Sequence, residues 1–183
     1  MPDTSTSLTA RPWATVAYQG VPMFRAHAWA LEAARLKGAS FTVASADRRQ
    51  GVAERFGHQS QASLYSAFQR GTGNPANPPG YSSHELRSDG SACYRTQRGG
   101  KLPAYMLGVD ATDTGQGDSC AHLVSVLNSM GIKAIRPYPD SREAHHFVIV
   151  QPFGRIAWTQ LVRLAGRRHS RAWVALMRRG RKF

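Results

Sequence analysis

The chain has 183 residues, enough for one domain with a buried core, and carries a net charge of +13 with an isoelectric point near 10.8. No apolar stretch approaches the roughly 20 residues of a membrane span. Two cysteines, Cys93 and Cys120, lie outside any CxxC pair, which excludes a disulfide framework and leaves at most a single bridge. The charge is uneven. Residues 155–183 hold nine Lys or Arg and no acid, while residues 1–154 hold fifteen Lys or Arg and all eleven acids. A basic surplus of this kind attracts polyanions.

In chain order, residues 1–12 are polar and expected to be disordered. They lack a basic start followed by an apolar core, so no secretory signal is read there and synthesis in the cytoplasm is expected. Residues 13–21 read as a short strand. Residues 22–38 are the clearest helix, with Pro22 suited to its first position and Gly38 to its stop. Residues 40–47 alternate as a strand. Residues 48–57 and 60–71 read as short helices, each closed by glycine. Residues 72–85 (TGNPANPPGYSSHE) form a structured loop by composition. Residues 95–101 are polar and glycine-rich, like a hairpin tip. A strand is predicted over 102–112, and a helix over 118–131 with Asp118 as N-cap and Gly131 as stop. Strands follow over 132–139 and 145–153, then helical pieces over 156–166 and 169–178. Helices first, then strands with one helix between them, predict an α+β fold with a small antiparallel sheet and flanking helices.

Seven histidines are candidates for metal or proton chemistry. His27 and His122 fall inside predicted amphipathic helices, His58 in a turn and His169 in the basic tail, where ordinary structural roles suffice. His84 is different, since it sits in a rigid Pro/Gly loop after Ser82-Ser83. Asp110 ends an apolar strand, where an acid needs a partner. His146 opens another strand. Three ligands from separate elements are how an open zinc site is assembled. Glu143 lies three residues before His146, close enough to serve as base for the same water. Neighbouring strand residues face opposite ways, so His145 and His146 cannot share a role.

The segments NPPGYSSHELRSDG, GVD and EAHHF, together with Ser45-Ala46-Asp47-Arg48 and Gln61 before Leu64-Tyr65, resemble a family over residues 40–150. It is the zinc peptidase family of D-alanyl-D-alanine carboxypeptidases (the VanY type) and phage L-alanyl-D-glutamate endopeptidases. Its pattern is Ser-x-His, Gly-x-Ala-x-Asp and Glu-x-Trp-His, with His145 here in the tryptophan's place. The resemblance implies that His84, Asp110 and His146 bind zinc and that Glu143 is the general base. It further implies that Arg48 polarises the scissile carbonyl, and that Gln61, Ser82 and His145 line the substrate site. The family's aspartate usually follows the first histidine by seven positions, which is Ser91 here. Asp110, after Gly108-Val109, is favoured over Asp89, with an inserted hairpin between.

These readings divide the chain into a zinc peptidase domain over 1–154 and a basic helical extension over 155–183. The expected activity is hydrolysis of peptidoglycan stem peptides by a monomeric phage endolysin, which waits in the cytoplasm for a phage-encoded membrane pore. The basic extension is expected to pack on the domain or to meet anionic wall polymer or a membrane surface. The alternatives are a non-catalytic wall-binding or phage structural module and a basic nucleic-acid-binding protein, although no nucleic-acid motif appears.

Overall fold

The computed structural model describes residues 14–85, 106–137 and 143–150. The tail helices over 156–166 and 169–178, the N-terminal 1–12, the 95–101 hairpin, Asp89 and Cys93 lie outside the described residues. Within them the chain is α+β, with three helices, a two-stranded sheet and a four-stranded sheet, both antiparallel.

The chain begins with a hairpin of β1 (Thr15–Tyr18) and β2 (Val21–Phe24). Its two-residue loop has positive φ at both positions, 51° at Gln19 and 82° at Gly20, which matches strand twist in a tight hairpin. Pro22 therefore lies in a strand and not at the head of the helix. The hydrophobic demand of Met23 and Phe24, both fully buried, takes this stretch into the hairpin. Pro22 has no N–H to lose on a strand margin, and its carbonyl accepts from Asp47 N at 2.9 Å. Helix α1 (Arg25–Leu36) follows, buried along most of its first two turns, and stops at Gly38, whose φ is 102°.

Strand β3 (Phe41–Ser45) leads into an irregular stretch. Only a 3-10 turn, Glu54–Phe56, forms where a helix over 48–57 was predicted. Asp47 explains this: its carboxylate accepts the Arg49 N–H at 3.1 Å and pairs with the Arg49 guanidinium, which stabilises a turn over a helix. Helix α2 (Gln61–Gln69) is capped by Ser60, whose Oγ accepts from Ser63 N at 3.3 Å.

Strand β4 (Met106–Asp113) and β6 (His146–Val150) form the centre of the larger sheet, with β3 and the short β5 (Ala134–Ile135) at its edges. The predicted strand over 132–139 thus shrinks to two residues, and Pro137, which cannot donate to a ladder, lies just beyond them. Among the described residues, a side-chain amide caps part of each edge of the larger sheet. Gln19 accepts from Val43 N at 2.8 Å and donates to Phe41 O at 3.3 Å. Asn128 accepts from Ala134 N at 3.0 Å and donates to Ala134 O at 2.8 Å. Both devices occupy backbone groups that would otherwise template another chain.

Helix α3 (Ala121–Ser129) covers the sheet with Leu123, Val124 and Leu127. Its cap is not Asp118. Asp113, at the end of β4, accepts the N–H groups of His122 at 2.7 Å and Leu123 at 3.0 Å. A buried carboxylate at a helix N-terminus meets both orphan donors and the positive end of the dipole. Asp113→Ala is expected to cost about 1–2 kcal/mol, read by denaturant unfolding. Asp118→Ala should change stability by less than about 0.5 kcal/mol, and the reverse order would remove this assignment.

Candidate metal centre

His84, Asp110 and His146 come together with one ligand atom from each within 4.8 Å of the others, and all three are buried. Sheet register explains two of them. Asp110 and His146 are directly opposed across the β4–β6 ladder, so their side chains share one face. Asp110 stands inside β4 and not at its end, since the strand runs on to Asp113. On its other side it opposes Ser45, where the register shifts between Val43 and Ser45. Such a bulge re-aims side chains at a sheet margin. His84 arrives from the Pro/Gly loop, which is stapled in place: Gly80 N donates to Glu85 Oε2 at 2.7 Å, and the Gln61 amide donates to Asn77 O at 2.7 Å.

The orientation of the imidazoles is specific. His84 Nδ1 lies 2.8 Å from the Ala46 carbonyl, which can only accept, so Nδ1 carries the proton and Nε2 presents its lone pair. That Nε2 is 3.4 Å from Asp110 Oδ1. His146 turns Nδ1 to the same oxygen at 2.8 Å, while its Nε2 faces Ser83 Oγ at 3.4 Å. Each ring thus aims one nitrogen at a common point and has a partner for the other, as metal-bound histidines do. Tetrahedral zinc with arms of about 2.0–2.1 Å separates its ligands by roughly 3.3 Å. The His84–Asp110 spacing already meets that, and the shorter His146 contact is a hydrogen bond that an ion would replace.

Electrostatics favour the ligand forms. Burial pushes the His84 imidazole below its usual value, against the pull of Asp110. Burial by itself would raise the Asp110 carboxyl, but His84, His146 and Arg48 outweigh it and hold the group well below the usual carboxylate range. Glu143 lies in the turn just before β6, where its carbonyl accepts from His146 N at 2.8 Å. Its carboxylate is near enough to act on the Arg48 charge, whose value burial lowers and Asp110 and Glu143 together raise.

The remaining predicted residues have varied placements. Arg48 pairs with Asp110 and donates from Nε to Ser45 Oγ at 2.7 Å. Ser82 is buried, and its hydroxyl accepts from His84 N at 3.3 Å, fixing the loop. Gln61 is buried beside Arg48, and its N–H donates to Arg48 O at 2.8 Å. His145 is half-buried outside the three-residue cluster, and its carbonyl accepts from Ala111 N at 3.0 Å. Ser83 and Ser45 also touch site residues; Ser83 falls on the variable position of Ser-x-His, and Ser45 opens the quoted Ser45–Arg48 segment without a role being assigned to it. A cleft of about 340 Å³ lies against the same segment, lined by Pro22, Ser45, Asp47, Arg48, His58 and Leu64 among others.

Comparison with protein families, with characterised proteins and with solved structures finds no match to this chain.

Proposed function

We propose that this chain is a zinc-dependent peptidase that hydrolyses a peptide bond in peptidoglycan stem peptides, in the manner of a phage endolysin. The observation that carries the metal reading is the paired orientation of His84 and His146: one nitrogen of each faces Asp110, and the other is held by Ala46 O or Ser83 Oγ. Two histidines and a carboxylate are a catalytic zinc set that leaves a position open. The substrate class rests on the resemblance of the Ser82–His84 and Glu143–His146 segments to stem-peptide hydrolases. A zinc ion held by His84, Asp110 and His146 would supply Lewis-acid polarisation and lower the pKa of water. Glu143 takes the proton of the attacking water and delivers it to the leaving amine nitrogen.

The test is metal content together with lysis of purified cell walls. The wild-type chain should carry a single zinc and clear a wall suspension, and chelation should abolish clearing. His84→Ala should lose the metal; zinc bound at unchanged stoichiometry would remove His84 from the ligand set. A zinc-loaded chain without lysis would favour a wall-binding module. Chelator-indifferent DNA binding that weakens steeply with salt would favour a nucleic-acid binder.

A second reading rests on Ser83 Oγ facing His146 Nε2 while His146 Nδ1 faces Asp110, an order found in serine hydrolases. It gives His84 no task, so the metal reading stands ahead. Labelling of Ser83 by a fluorophosphonate, with activity that survives chelation, would reverse that order.

A further inference from the structure

We infer that Arg48 is a positioning residue for Asp110: it holds one carboxylate oxygen so that only the other faces the two histidines, making Asp110 a one-oxygen ligand. This rests on the metal reading above and goes beyond it. The Asp110 oxygens are divided. Oδ1 faces His146 Nδ1 and His84 Nε2, while Oδ2 is taken by Arg48 Nη2. The guanidinium is itself fixed, because Nε donates to Ser45 Oγ at 2.7 Å. Ser45 is the residue opposite Asp110 across the β3–β4 ladder, at the register shift. The Arg48 backbone is tied at both ends to the site's supports, its N–H donating to His84 O at 2.9 Å and its carbonyl accepting from Gln61 N at 2.8 Å. Arg48 is therefore built into the frame that carries two of the three cluster residues. This task differs from the carbonyl polarisation that the family resemblance implies.

The consequence is a fixed coordination number. A carboxylate free to rotate can offer both oxygens to a cation and fill the position that water and substrate need. With Oδ2 occupied, the cluster offers three protein atoms and no more. A planar guanidinium suits this work because it bonds carboxylate and hydroxyl from one rigid fork.

Charge and position predict opposite signs for the test. Removing a cation beside the site should tighten binding of a dication by Coulomb attraction alone. Loss of a residue that orients a ligand should weaken it by about 10–100-fold. Arg48→Met and Ser45→Ala are compared with the wild-type chain by zinc affinity in a chelator competition and by the visible spectrum of the cobalt-substituted protein. Ser45→Ala keeps every charge and removes only the anchor of Nε, so it also covers a misfolded Arg48 variant. The expected result is weaker zinc binding in both variants, smaller for Ser45→Ala, with a fall in cobalt absorbance as Asp110 turns bidentate. Equal or tighter binding with an unchanged cobalt spectrum in both variants would overturn the positioning role while leaving the metal reading intact. A wild-type chain that binds neither metal would instead overturn the metal reading, and this inference with it.

Discussion

On the proposed zinc-peptidase function, replacing Glu143 by glutamine is expected to leave zinc on the chain while lowering peptide hydrolysis by roughly 10²–10⁴-fold, the usual worth of a general acid–base group. The substitution is nearly isosteric. The Glu143 backbone carbonyl accepts from His146 N, a contact that a side-chain substitution leaves in place. None of the three clustered ligand atoms belongs to Glu143. What is lost is a carboxylate able to accept a proton, at a place where its charge reaches Arg48. The measurement is the appearance of new amino groups in a purified wall digest, alongside zinc content and the thermal midpoint. Hydrolysis within a few-fold of wild type, at equal zinc content, would remove Glu143 from the mechanism.

The parts of this design that were legible in the sequence are those where one residue type implies one geometry. Gly38 and Gly131 end their helices at positive φ as read, and the alternation of Phe41, Val43 and Ser45 gives β3. Asp110 stood out because an acid ending an apolar strand needs a partner, and it has three in His84, His146 and Arg48. The failures arise where a distant group overrode a local preference. Pro22 suits a helix start, but it lies in a hairpin strand with Met23 and Phe24 fully buried beside it. Asp118 sits where a cap should be, yet Asp113 reaches the free N–H groups of α3 from the end of β4. The edges closed by Gln19 and Asn128 were invisible, since a polar side chain carries no mark of the strand it will cover. Ser83 was missed, and Ser45 was noted only as part of the Ser45–Arg48 segment, for the same reason: their contacts exist only once β3, β4 and β6 are side by side.

Gly108 turns that three-strand packing into a test of the whole site. Gly108→Ala is expected to lower the thermal midpoint by on the order of 5–10 °C, from overpacking of roughly 1–3 kcal/mol. It should also weaken zinc binding by at least about 10-fold, because the strain falls on a residue that orients a ligand. Backbone freedom is not the reason for glycine here; space is. Gly108 sits within β4 opposite Val148, and its N–H donates to Ser83 O at 2.8 Å, drawing the His84 loop down onto the strand. An added Cβ would overlap Ser83 Oγ and lie 3.0 Å from His146 Cε1 and 3.1 Å from the Ser83 carbonyl carbon. The hydroxyl can rotate away, but the carbonyl carbon cannot, so the loop bearing His84 must lift or the His146 ring must turn. Either motion separates nitrogens that now face Asp110. The double variant Gly108→Ala, Ser83→Ala separates the two consequences. It removes the worst overlap, so part of the thermal loss should return. It also removes the group facing His146 Nε2, so zinc affinity should stay low. If Gly108→Ala alone kept both the wild-type midpoint and wild-type zinc affinity, the close packing of loop, strand and ligand described here would be wrong.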